Sequence, residues 1–214
     1  MVINKPVKRE IFAATFRDRV IHHFIFNILS PLIEKELLYD IYSCRKGKGT
    51  LFGIKRAQSQ MQSCSKNYTT NAYVLKLDIS GYFMNMNKEL LYHKVEEIID
   101  KYEFYLPIQS SLLKYLVGIN IYHDPTTFCK FQSMHSMWID LPKNKSLFYT
   151  APNCGLPIGN LTSQLYGNLY LNDFDHYVKK ELKIKHYGRY VDDFYLFDKN
   201  INNLINQSNK RLIN

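Results

Sequence analysis

In the stretch His186-Tyr187-Gly188-Arg189-Tyr190-Val191-Asp192-Asp193-Phe194-Tyr195-Leu196-Phe197, two runs rich in aromatic and aliphatic residues flank a pair of adjacent acids. The pattern predicts two strands, Lys183 to Tyr190 and Phe194 to Phe197, joined as a hairpin with Val191-Asp192-Asp193 at its bend. Two like charges at such a tip repel each other and lose hydration beside an apolar sheet. Cations or hydrogen bonds must offset that cost, which makes a metal site a reasonable reading. Taken alone, the pair is also what ordinary turn chemistry produces, since Asp is a frequent turn residue.

A second acid shifts the balance. From Ala72 to Asp78 the residues alternate, with Tyr73, Leu75 and Leu77 on one side, as in a half-buried strand that Asp78 closes. Ile79-Ser80-Gly81-Tyr82-Phe83 follows as a turn carrying two aromatics. Asp78, Asp192 and Asp193 can then gather around two magnesium ions, with manganese as a substitute. Hard oxygen ligands suit these cations, and an ion pair can activate a hydroxyl nucleophile while steadying a leaving pyrophosphate. Neighbouring strand residues face opposite sides, so Asp78 and Asp192 are the principal candidate ligands and Asp193 assists.

Upstream, Thr15-Phe16-Arg17-Asp18 has the form of a capping box, and Val20, Phe24 and Ile28 follow at helical spacing. Ser30-Pro31 predicts the start of a second helix through Ile33, Leu37 and Leu38. A basic loop, Arg45-Lys46-Gly47-Lys48-Gly49-Thr50, leads to a helix from Phe52 to about Ser65. Further helices are expected near Lys88 to Tyr102 and Pro107 to Val117, then an irregular region holding Pro125, Trp138 and Pro142. One long helix is expected from Leu161 to Leu182, with Leu171, Phe174, Val178 and Leu182 as its apolar stripe. Ile201, Leu204, Ile205 and Leu212 suggest a last helix.

Hydrophobic residues make up 46% of the 214, enough for one sizeable core or two smaller ones. The formal charge of +9 suits a polyanionic partner, although a dispersing surface charge would look the same. Lys114 and polar residues interrupt Phe104 to Tyr122, the best candidate for a membrane span. No secretory signal is apparent, which predicts a cytoplasmic location and no membrane partner. Cys44, Cys64, Cys129 and Cys154 show no Cys-x-x-Cys pair, and His22, His23 and His176 lack partners at metal-ligand spacing.

These residues together resemble a known family. Val74 to Phe83 is similar to the first catalytic palm motif of reverse transcriptases, and Tyr190-Val191-Asp192-Asp193 to the second. Between them, Gly155-Leu156-Pro157-Ile158-Gly159-Asn160-Leu161-Thr162-Ser163-Gln164 resembles the template and nucleotide-pocket motif, and Arg45 to Thr50 the fingers loop that meets the triphosphate. Most of the family carries Gln-Gly, three residues, then Ser-Pro in the pocket motif. Here Ile158-Gly159 and Ser163-Gln164 stand at those places, as in the enzymes of diversity-generating retroelements. Leu141-Pro142-Lys143, Lys145 to Phe148 and His186 to Arg189 are also reminiscent of that group.

The resemblance implies an α+β fold, the fingers and palm of a right-hand polymerase with a helix-backed antiparallel palm sheet. Residues 1–70 would be the N-terminal fingers and 71–214 the palm with inserted helices, ending before a thumb. It implies RNA-directed DNA synthesis on an RNA template from a DNA or RNA primer and deoxynucleoside triphosphates, together with a small basic accessory protein. Arg45, Lys46, Lys48, Phe83, Ile158, Gly159 and Gln164 would form the nucleotide site, with Arg45 gripping phosphate and Phe83 excluding a 2′-hydroxyl. Lys55, Arg56, Lys179 and Lys180 are candidate backbone contacts. Two alternatives stay open: a group II intron or retron enzyme, and a palm-like RNA-binding module without chemistry.

Overall fold

Thr15 Oγ1 donates to Asp18 Oδ2 at 2.7 Å, and the Asp18 N–H turns back to Thr15 Oγ1 at 3.4 Å. The capping box is therefore the physical start of helix α1, Phe16–Glu36. In this computed structural model, residues 1–3, 8–134 and 136–205 are described. They form a mixed α/β structure with antiparallel sheets, in two units: residues 1–35 with 80–170, and 36–79 with 171–214. Among the described residues, no helix is long and apolar enough to cross a membrane.

The expected break at Ser30-Pro31 does not occur, because α1 runs through Pro31 as one helix of 21 residues. An interior proline costs about 3 kcal/mol. Ile25 and Leu29 before it, and Leu32 and Ile33 after it, are buried on a shared stripe. Each such side chain contributes about 1.5–3 kcal/mol, which outweighs the lost hydrogen bond.

In the first unit, β1 (Val2–Ile3) pairs antiparallel with β2 (Arg9–Glu10). Helix α2 belongs to the second unit, at Thr50–Cys64, and the strand after it, β3, covers Tyr73–Leu77. Back in the first unit come α3 (Lys88–Lys101) and α4 (Ser110–Tyr122), with Asn87 Oδ1 capping α3 by accepting from the Leu90 N–H at 2.9 Å. Leu91, Val95 and Ile99 of α3 and Leu113, Val117 and Ile121 of α4 are almost wholly buried. The irregular region holds a short helix, α5 (Ser136–Ile139), and is tied together by rings. Phe131 stacks on Phe148 at 5.8 Å, and Trp138 meets both edge-on. Helix α6, Leu161–Tyr170, completes this unit, and its Thr162 hydroxyl lies 2.7 Å from His22 Nδ1.

The single helix expected from Leu161 to Leu182 is instead two. Leu171 leaves helical geometry (φ −94°, ψ 5°), and α7 begins at Asn172 and ends at Lys180. Of the expected stripe, Val178 is buried and Phe174 and Leu182 pack half-buried on the same core, and α7 also buries Asn172 and Asp175. Asp175 gains a partner that no local pattern announces. Arg189 Nε donates to its Oδ1 at 2.8 Å and Nη2 to its Oδ2 at 2.6 Å, with both side chains 0% exposed. Tyr187 adds a hydroxyl to the same carboxylate at 2.5 Å.

The last two strands are β4 (His186–Tyr190) and β5 (Asp193–Asp198), and the sheet order is β3-β5-β4, antiparallel throughout. Cross-strand pairing sets Leu77 against Phe194, Leu75 against Leu196, and Tyr187 against Leu196. Period-two alternation sends these toward α7, where Val178, Ile184, Ile41 and Leu204 close the core. On the other face α2 packs over β4 and β5. There Tyr42 and Tyr195 share a hydroxyl contact of 2.8 Å, and Asp40 accepts from Arg56 Nε and Gln60 Nε2 at 2.8 and 2.9 Å. Residues 201–205 are helical with Leu204 buried, and Leu212 lies outside the described residues.

Gly188 sits where this face is tightest, since a β-carbon there would stand 2.5 Å from both the Tyr195 and Tyr42 hydroxyls. Gly188→Ala must push the two rings apart. We expect a loss of about 1–3 kcal/mol, read as a lower urea midpoint at unchanged slope. An unshifted midpoint would show that the tyrosines yield freely.

Candidate active site

The three acids all belong to the second unit. Tyr190 pairs directly with Asp193, so Val191 and Asp192 alone form a two-residue hairpin turn, and Asp193 is the first residue of β5 rather than part of the bend. Val191 has φ +59° and Asp192 does not share the positive sign, the pattern of a type II′ turn, which normally has Gly at the first position. A β-branched side chain in that region is strained. The peptide is held at both ends: the Val191 N–H donates to Ser43 Oγ at 3.1 Å, and Arg189 Nη1 donates to the Val191 carbonyl at 2.7 Å.

The last β3–β5 pair is Leu77 with Phe194, so one further step of the register sets exposed Asp78 across from Asp193. Lys76, two residues before Asp78 and on the same face, reaches Asp193 Oδ1 with its Nζ at 3.0 Å. That hydrogen bond with Asp193, its charge, and the charge of Asp78 raise the Lys76 pKa. Sequence reasoning passed over this lysine, although its i, i+2 spacing from Asp78 was the available signal.

Among the described residues, no three His, Cys, Asp or Glu side chains are arranged to hold a metal ion. The donor set nevertheless fits a hard divalent cation. It offers carboxylate oxygens only, from a strand end and an adjoining hairpin, and an ammonium group already sits against one of them.

The basic loop lies in the same unit and is folded onto its own neighbours. Arg45 Nη1 donates to the carbonyls of Leu38 and Ile41 at 2.6 and 2.7 Å, satisfying groups left open after α1. Lys48 Nζ donates to the Tyr39 carbonyl at 2.5 Å and lies 4.5 Å from the centre of the Tyr39 ring. Lys46 is exposed. Thr50, where α2 begins, donates its hydroxyl to Tyr190 Oη at 3.2 Å, so the loop ends beside the acid-bearing hairpin. Of the other candidate backbone contacts, Arg56 is bound to Asp40 and Lys179 Nζ donates to the Lys185 carbonyl at 2.7 Å. Lys55 and Lys180 are exposed.

The remaining predicted residues lie in the first unit. The Leu156 N–H donates to the Phe83 carbonyl at 2.8 Å and the Gly155 N–H to the Met86 carbonyl at 2.9 Å, which joins the segment after Ser80 to the start of the pocket motif. The half-buried Phe83 ring packs edge-on to Tyr82 at 5.2 Å. A β-carbon on Gly167 of α6 would stand only 3.2 Å from it. Ile158 is half-buried and its carbonyl accepts from the Phe12 N–H at 2.8 Å. Gly159 has φ +120°, and a β-carbon there would meet Ile11 at 2.8 Å, so the chain before α1 requires glycine at this place. Gln164 is exposed on α6. Glu10, which sequence reasoning also passed over, is buried and accepts from the Leu147 N–H at 2.7 Å. Burial raises its pKa against the opposing effect of that bond.

The structural role of Arg45 can be tested directly. Removing its guanidinium strips a donor from two carbonyls, so Arg45→Ala should cost about 1–3 kcal/mol in urea unfolding. Lys46→Ala, an exposed change, should stay within about 0.5 kcal/mol. Equal midpoints for the two variants would mean that Arg45 carries no structural share.

Two comparisons bear on what these residues do. The protein YkfC of Escherichia coli (strain K12) is 20% identical over 170 residues, covering 79% of this chain and 37% of that protein, so the chain spans well under half of that relative. The sequence profile described as reverse transcriptase (RNA-dependent DNA polymerase) matches residues 3–211. Spanning nearly its whole length, that match places the chain in a nucleotidyltransferase family, and the chain belongs to the reverse transcriptases.

Proposed function

We propose that this chain copies an RNA template into DNA by extending a DNA or RNA primer with deoxynucleoside triphosphates. The supporting observation is the hairpin itself: a tight two-residue turn delivers Asp192 and Asp193 to the end of the sheet where the register also brings Asp78. A protein that only bound RNA would gain nothing from acids facing phosphates, because uncompensated negative charge opposes such binding. On this reading residues 1–70 act as fingers and 71–214 as palm of a right-hand polymerase.

Asp78 and Asp192 would hold a pair of magnesium or manganese ions, with Asp193 assisting. Such ions lower the pKa of a primer 3′-hydroxyl and offset charge on departing pyrophosphate. The side chains of this protein supply the rest. Asp193 exchanges its lysine partner for the substrate-bound state, and Lys76 is then free to face a phosphate. The basic loop offers charge to the triphosphate through Lys46 and Arg45. Phe83, backed by Gly167, stands as a rigid wall against a 2′-hydroxyl, in the neighbourhood that also holds Ile158, Gly159 and Gln164. Ile158 and Gln164 favour an enzyme of the diversity-generating group, working with a small basic accessory protein and misreading template adenine.

Primer extension on an RNA template tests the chemistry. The parent chain should extend the primer, with errors concentrated opposite adenine, and Asp78→Ala should fall to the level of a reaction without protein. Extension by Asp78→Ala at the parent rate would sink the assignment. In the same assay Phe83→Ala should raise ribonucleotide use relative to deoxyribonucleotide by about 10–200-fold. An unchanged ratio would return Phe83 to a packing role.

A further inference from the structure

Val191 is a β-branched residue at φ +59° in a turn that glycine would occupy without strain, and it immediately precedes Asp192. Strain of this kind persists only where the surroundings over-determine it. Here they do so through two contacts on one residue. Ser43 Oγ accepts the Val191 N–H at 3.1 Å, and Arg189 Nη1 donates to the Val191 carbonyl at 2.7 Å.

Neither anchor is loose. Arg189 is wholly buried, and its other donors are fixed on Asp175 at 2.8 and 2.6 Å. Its backbone N–H donates to the Asp40 carbonyl at 3.0 Å, and its own carbonyl accepts from the Tyr42 N–H at 3.0 Å. Ser43 follows directly in that same chain segment and is 1% exposed. The Val191 carbonyl belongs to the planar peptide that ends at the Asp192 α-carbon, so gripping it removes the rotation that would swing the carboxylate away.

We infer that Arg189 and Ser43 are positioning residues that hold the Val191 peptide in its left-handed conformation and thereby fix the place of the Asp192 carboxylate, with Asp175 as the support that aims the guanidinium. The inference rests on the reading of Asp78, Asp192 and Asp193 as metal ligands. It goes beyond that reading by assigning the ligand geometry to a buried ion pair on the helix-facing side of the sheet. Lysine at 189 can pair with Asp175 but cannot also reach the Val191 carbonyl through a second nitrogen, so charge and fold are kept while the grip is lost.

The test titrates Mn²⁺ into the whole chain and reads free Mn²⁺ by its electron paramagnetic resonance signal, with thermal unfolding alongside. Arg189→Lys should weaken Mn²⁺ binding by about tenfold or more, and Ser43→Ala should weaken it less but measurably. Leu204→Ala, which destabilises the same core without touching the turn, should bind Mn²⁺ as the parent does. Parent-like affinity in Arg189→Lys would overturn the inference, as would an equal loss in Leu204→Ala, which would make the effect one of general stability. If Arg189→Lys does not fold, Ser43→Ala decides, and parent-like affinity there overturns the proposal. Undiminished binding by Asp192→Asn, or none by the parent, would instead bring down the metal-site reading and this inference with it.

Discussion

Arg189 and Asp175 are opposite charges with no exposure to water, and ions in that position lose several kcal/mol each in hydration before any contact is counted. The structure meets that cost with a full set of partners. The carboxylate receives two guanidinium bonds and the Tyr187 hydroxyl, while the guanidinium also reaches the Val191 carbonyl. Burial and the adjacent Asp175 charge push the Tyr187 pKa well above its ordinary value, which favours the hydroxyl as a donor. Taking away either ion would leave the other buried and unpaired, a loss of about 3–5 kcal/mol. The pair therefore specifies more than it stabilises: it requires Asp175 of α7 to face Arg189 of β4.

A second polar network occupies the other face of the sheet. Asp40 is held by Arg56 and Gln60, and Tyr42 links it to Tyr195. Burial, with the Asp40 charge, raises the pKa of both tyrosines, at Tyr195 against the opposing effects of its Tyr42 hydrogen bond and of Arg56. Gly188 is the residue that lets the two rings meet across the strand. A sheet pinned by hydrogen bonds on both faces has fewer alternative packings than one held by apolar contacts alone, because a shifted register would strand several buried polar groups at once. The hairpin tip inherits that definition, which is what the proposed site of Asp78, Asp192 and Asp193 would need.

What could be read from the sequence is what short-range periodicity controls. The alternation of Tyr73, Leu75 and Leu77 gave β3, the Thr15 capping box gave the start of α1, and the two aromatic runs around Val191 gave the hairpin. The misreadings share a cause. Pro31 looked like a start signal because propensity is local, whereas the buried stripe on both sides of it is a property of the packed unit. Asp175 lies beside the expected stripe of Leu171, Phe174, Val178 and Leu182, and is buried with Val178. Its reason is an arginine 14 residues later, a separation at which no helical or strand period operates. Inward-facing opposite charges on predicted elements were the one usable sign. The family was legible in its motifs, and the loop's attachment to its own carbonyls was not, since Arg45 offers the same five donors to backbone oxygens as to phosphate.

The distribution of charge carries the argument one step further. A chain with formal charge +9 is built to approach a polyanion, yet it places adjacent acids at the strained tip of its best-defined sheet, with a third across the register. Lys76 compensates one of them through an exposed ion pair, which is worth little and is easily exchanged. A permanent structural role would have called for a buried, well-satisfied partner such as Asp175 has. The two kinds of pairing in one unit thus differ in kind: Asp175 is buried and holds the fold, while Asp193 is paired at the surface. The strained backbone lies at Val191, in the turn beside these acids and outside the strands of the sheet.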